Sequence, residues 1–158
     1  MKKLLIILIA IAFMSAAAFA GSTDTQTVYY EIDAINEIAF DADETLTINF
    51  ATAGTEPDRD IAECTYAITT NETAGKKLTG AINANMPGDT DLMVTAAAPT
   101  GGSGSGQVTL NTTAATLVAS IETVAESGIA YSITLDANVA AGLPADGSRV
   151  LTFTLTDE

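Results

Sequence analysis

Val150-Leu151-Thr152-Phe153-Thr154-Leu155-Thr156 places an apolar side chain at every second position, with threonine between. Successive side chains of an extended backbone point to opposite faces, so this stretch specifies a strand with one dry face and one wet one. The same period recurs upstream. Leu46, Ile48 and Phe50 alternate with Thr45, Thr47 and Asn49, while Leu78, Gly80, Ile82, Ala84 and Met86 alternate with Lys77, Thr79, Ala81, Asn83 and Asn85. Further strands are expected over Thr65–Asn71 through Tyr66 and Ile68, over Asp91–Ala97 through Leu92 and Val94, and over Gln107–Asn111 through Val108 and Leu110. Tyr131, Ile133, Leu135, Ala137 and Val139 line one face of a long strand before the last.

Turn chemistry falls between these runs, at Ala53–Pro57, Asn71–Gly75, Met86–Asp89, Ser127-Gly128 and Leu143–Ser148. Gly101-Gly102-Ser103-Gly104-Ser105-Gly106 reads as a flexible loop inside one domain, because the residues after it are too few for a second core. Thr116–Ile121 reads as a strand, although Leu117, Val118, Ile121, Val124 and Ala125 also fit a helical stripe. Eight or nine short strands without a long helical pattern predict an all-β fold: a two-layer antiparallel sandwich of immunoglobulin-like or pilin-like type, with a small barrel as the alternative. Its core is expected from Leu46, Ile48, Phe50, Tyr66, Ile68, Leu78, Ile82, Leu92, Val94, Val108, Leu110, Ile133, Leu135, Leu151, Phe153 and Leu155.

Residues 1–20 pair Lys2 and Lys3 with an apolar run from Leu4 to Met14 and end in Ala18-Phe19-Ala20, the pattern of a secretory signal cleaved before Gly21. The strictly apolar run is about half the roughly 20 residues a bilayer span needs. The expected organisation is a leader over 1–20 and one sandwich over 21–158, free of the membrane after cleavage. Removing the leader would leave 4 basic against 20 acidic residues, which disfavours nucleic acid and anionic membranes as partners. With no His, imidazole bases and Ser-His-Asp triads are excluded, and a lone Cys64 excludes thiolate clusters and intrachain disulfides. Cys64 shares parity with Tyr66 and Ile68 and is read as a small buried side chain.

The acidic turns around Asp41 and Asp43, Asp58 and Asp60, and Asp89 and Asp91 hold the oxygens calcium would need, although none has the spacing of an EF-hand. Solvated acidic turns are the plainer reading, and no other cofactor is indicated. Catalysis is not expected, since these carboxylates lie in turns open to solvent. Lys76 and Lys77 read as solvated charge, with an intramolecular Lys-Asn isopeptide bond as the alternative, and Asn71 and Asn111 head two N-x-T sequons.

At the N-terminus left by cleavage, a polar stretch runs into Val28, Tyr30, Ile32 and Ala34 at strict period two, and the phase breaks at Ile35 and Ile38. Such a segment forms the first strand of its own sandwich, or adds to the open edge of a second copy. Together with the leader, Thr65–Asn71 and Val150–Thr156, it resembles secreted pilin-like, strand-donating surface fibre subunits of bacteria and archaea. That resemblance implies self-association into a homopolymer or surface layer, outside the cell or on its surface. The competing expectation is a monomeric surface binding module for carbohydrate or calcium-dependent adhesion.

Overall fold

The computed structural model describes residues 23–41, 43–142 and 147–158. Residues 1–20, read above as a leader, and most of the Leu143–Ser148 turn lie outside them. Among the described residues nine strands follow in chain order: β1 Asn36–Phe40, β2 Asp60–Thr70, β3 Lys76–Ile82, β4 Thr90–Ala96, β5 Ser103–Gly104, β6 Gln107–Thr109, β7 Ala115–Ile121, β8 Val124–Ala137 and β9 Leu151–Asp157. They pair antiparallel throughout, in one sheet ordered β1-β2-β8-β4-β6 and a second ordered β5-β7-β3-β9. The all-β two-sheet architecture is therefore the one the alternation specifies. All nine strands lie in the compact unit Asp33–Glu158.

Between the sheets the inward parity of each strand meets its counterpart. Tyr66 and Ile68 of β2, Leu92 and Val94 of β4, and Ile129 and Tyr131 of β8 pack with Leu78 and Ile82 of β3, Leu117, Val118 and Ile121 of β7, and Leu110. An aromatic cluster crosses the layers: the Phe40 ring stacks on Tyr66 at 5.3 Å and on Phe153 at 3.7 Å, with Tyr131 edge-on to both phenylalanines. The buried Tyr66 hydroxyl donates to the Ala97 carbonyl at 2.7 Å, so its polar end is satisfied. Gly80 leaves space that its neighbours fill, since a Cβ there would lie 3.0 Å from Leu117 Cδ1.

Several expectations are corrected. Leu46–Phe50 forms no strand, and Phe50 is 63% exposed. Alternation marks one-sided burial, but a strand also needs a backbone ladder, and the neighbouring part of β2 is met mainly by side chains, with one backbone bond from Asp41 N–H to the Thr65 carbonyl at 3.3 Å. Asp60 Oδ2 accepts from Thr47 N–H, and Asp41 Oδ2 accepts from Thr65 N–H at 2.6 Å. Leu46 still packs against the core, whereas Ile48 and Leu135 are half-buried outside it. The strand through Leu78 stops at Ile82, short of Ala84 and Met86, and Val139 lies in a 3-10 turn rather than in β8. The glycine-rich run is not all loop, because Ser103–Gly104 pairs with Ala119 and Val118. A Cβ at Gly104 would lie 3.0 Å from the Ala96 carbonyl, so the missing side chain is what lets this edge approach β4. Ser127-Gly128 is a bulge within β8 rather than a turn: Gly128 has φ +71°, and the register with β2 shifts between Tyr66 and Ile68.

Candidate functional site

Before β1, the described residues 23–35 carry no helix or strand. Val28 is 73% exposed, Tyr30 86% and Ile32 74%, and Ala34 is exposed as well. Among the described residues the first strand is thus β1, beyond the phase break at Ile35, and Val28, Tyr30, Ile32 and Ala34 belong to none. Asn71 fixes where the anchored backbone begins. Its Nδ2 donates to the Asp33 carbonyl at 2.9 Å, its Oδ1 accepts from Ile35 N–H at 2.8 Å, and its own N–H donates to the Ile35 carbonyl at 3.2 Å. The sequence presented Asn71 as a sequon in a turn, and nothing in its spacing announced this clamp.

The sheets end in four edges of unequal size. β5 and β6 are two and three residues long, β1 is five, and β9 is seven. Burial falls off sharply across the β3–β9 pair. In register, Leu78 faces Leu155, Gly80 faces Phe153 and Ile82 faces Leu151; the β3 residues are fully buried, but Leu151, Phe153 and Leu155 are only half-buried. The dry interior therefore continues to an edge that no described strand covers.

At one end of that edge a charged cluster links β1, β3 and β9. Lys76 is 7% exposed, and its Nζ donates to Glu72 Oε2 at 2.9 Å and to Asp157 Oδ1, its cross-strand partner. Asn36 Nδ2 donates to Glu72 Oε1, while Asn36 Oδ1 accepts from Thr70 Oγ1 at 2.8 Å. Lys76 is thus not solvated, because the parity of β3 turns it inward where two carboxylates meet it, and the Glu72 carboxylate it shares also carries the Asn36 amide.

The hydrogen bonds to Asp157 and then to Glu72 raise the Lys76 pKa. The Asn36 hydrogen bond, followed by that of Lys76, lowers that of Glu72, and Lys76 lowers that of Asp157. The depressed carboxylates stabilise the fold above the ordinary carboxylate range and cease to do so as pH falls through their folded values. The raised lysine stabilises below its ordinary pKa and ceases to as pH rises through its folded one. The melting temperature should therefore hold between about pH 4.5 and 10 and fall on both sides. Thermal melts of Lys76→Met against pH should lose part of both falls, and curves parallel to the unaltered chain would disprove the cluster's role. Water and salt weaken the Asp157 share, since that side chain is 80% exposed.

Cys64 is buried and free, and burial pushes its thiol pKa up. The calcium candidates do not converge. Asp41 binds the Thr65 N–H and hydroxyl, and Asp60 binds Thr47 and Ile61 N–H groups. Asp43 and Asp58 are exposed. Asp89 and Asp91 line a shallow depression of about 340 Å³ with Asp136 and Asn138, but Asp136 is engaged by Arg59 at 3.0 Å. Among the described residues no three acidic, Cys or His side chains are placed to hold a metal ion.

No protein-family model matches the chain. No curated protein matches it either. Among solved structures it is similar to a chain from the structure of a chaperone-usher pilus, with 14% identity over 88% of this chain and 97% of that one and a TM-score of 0.41. A likeness at that level leaves function to be argued from the chain's own residues. Among the described residues, no helix is long and apolar enough to cross a membrane.

Proposed function

We propose that the chain is an exported structural subunit, freed by removal of residues 1–20, that polymerises outside the cell or on its surface by strand donation. Residues Thr25–Ala34 of one copy extend the sandwich of the next, with Val28, Tyr30 and Ile32 turned toward its interior and Ala34 at the point where the Asn71 clamp returns the chain to its own sandwich. One observation carries the reading: an alternating apolar segment stands exposed and unpaired among the described residues of its own chain. Burying each of the three larger side chains contributes about 1.5–3 kcal/mol. Association costs on the order of 4–15 kcal/mol, so side-chain burial alone is marginal and a backbone ladder is needed beside it. Addition to a sheet edge supplies both, and it covers an edge that would otherwise invite unspecific pairing.

The polymer needs no catalytic group and no ion. Its strongly acidic surface keeps subunits apart until a specific edge is met. Deleting residues 21–34 should leave a folded chain that sediments as a monomer at concentrations where the chain retaining them forms large particles. Filaments from the shortened chain would refute strand donation by this segment.

A further inference from the structure

We infer that the edge receiving the donated segment is β9 of a second copy, an assignment that rests on the strand-donation reading. The four edges differ in what they can offer. β5 and β6 are too short to pair with a segment carrying four alternate side chains. β1 turns only Ile38 and Phe40 toward the core, and its outward Glu37 would lie on the face where Glu31 and Asp33 of an incoming strand must lie. β9 turns in Leu151, Phe153 and Leu155, three half-buried side chains whose partners on β3 are already sealed. Val28, Tyr30 and Ile32 repeat at the same spacing and would continue the interior by one strand.

Backbone parity agrees. Asn83 N–H donates to the Val150 carbonyl and Glu158 N–H to the Gly75 carbonyl, so the even-numbered residues of β9 turn their peptide groups toward β3. Leu151, Phe153, Leu155 and Asp157 consequently point theirs away from it, and among the described residues nothing meets them. The same residues thus present both the half-covered side chains and the open hydrogen-bonding groups.

The basic residues also gather near this edge. Beyond the leader the chain has four basic residues, Arg59, Lys76, Lys77 and Arg149. Lys77 faces Thr156 in register, Lys76 faces Asp157, and Arg149 lies two residues before Leu151 with its guanidinium on the Asn85 and Ser148 carbonyls. Three of the four therefore flank β9, whose outward face carries the neutral Thr152, Thr154 and Thr156. Lys76 is already paired with Glu72 and Asp157, so Lys77 and Arg149 are the cations that face a donor bearing Asp24, Glu31 and Asp33 there, whereas at β1 it faces Glu37.

Amide hydrogen exchange of the full chain tests the assignment, comparing assembled protein with the Ile32→Asp chain. Exchange at Leu151, Phe153, Leu155 and Asp157 should slow by roughly 100-fold on assembly, with amides of β1 and β6 unchanged. Assembly that depends on Ile32 but protects β1 or β6 instead would overturn the β9 assignment and leave strand donation standing. Assembly indifferent to Ile32→Asp would overturn the donation reading, and this assignment with it. So would a chain that stays monomeric at every concentration.

Discussion

Ile32→Asp should abolish assembly and leave the melting temperature of the single chain nearly unchanged. In its own chain Ile32 is 74% exposed, so a carboxylate there remains in water and costs the fold little. In the interior of a neighbouring sandwich the same carboxylate would be desolvated without a partner, a penalty of several kcal/mol. A loss of about 3 kcal/mol already weakens association more than 100-fold. Size-exclusion chromatography and thermal melting of the same sample separate the outcomes. A large drop in melting temperature would mean that the segment is a strand of its own domain, and unchanged assembly would mean that it is not the donor.

Leu117→Ala is expected to destabilise the sandwich by about 2–5 kcal/mol, since a fully buried leucine at the centre of the second sheet leaves a cavity when truncated. For a domain of this size that lowers the melting temperature by roughly 10 °C. The cavity would open against Gly80, which has no side chain to fill it. A loss below about 1 kcal/mol by denaturant titration would show that β7 does not pack as described.

Leu117 also shows where the sequence is ambiguous. β7 shifts register against β3 twice, between the partners of Lys76 and Leu78 and between those of Leu78 and Thr79. Each shift resets the inward parity, so Leu117, Val118 and Ile121 are all buried at a spacing a helix would also give. Ser120 adopts φ +55° there, an uncommon conformation for a residue with a side chain, and its N–H donates to Glu158 Oε1 at 2.6 Å. Where the ladder is unbroken, as at Leu92–Val94 and Leu151–Leu155, period two was enough to read the inward face. It failed at Leu46–Phe50, because alternation reports burial and carries no information about a pairing partner. The glycine run at 101–106 misled for the opposite reason, since at Gly104 the lack of a side chain serves close backbone approach, while Gly101 and Gly106 use their freedom for positive φ.

The segment proposed as donor was legible as a pattern, but its pairing was not. Period two at Val28, Tyr30, Ile32 and Ala34 is the same whether the strand stays or leaves. What holds Asp33 and Ile35 to this sandwich is the Asn71 clamp, a long-range contact that no local spacing encodes. The open edge was hidden likewise, because the apolar parity of Leu151, Phe153 and Leu155 says that they face inward and not that their far side lacks a neighbour.

Negative-stain imaging of the purified chain lacking residues 1–20, over a range of concentrations, tests strand donation most directly. Thin fibres of repeating single sandwiches are the expected result, and they should be absent from the Ile32→Asp sample prepared alongside. Isolated particles of monomer size at every concentration would contradict it.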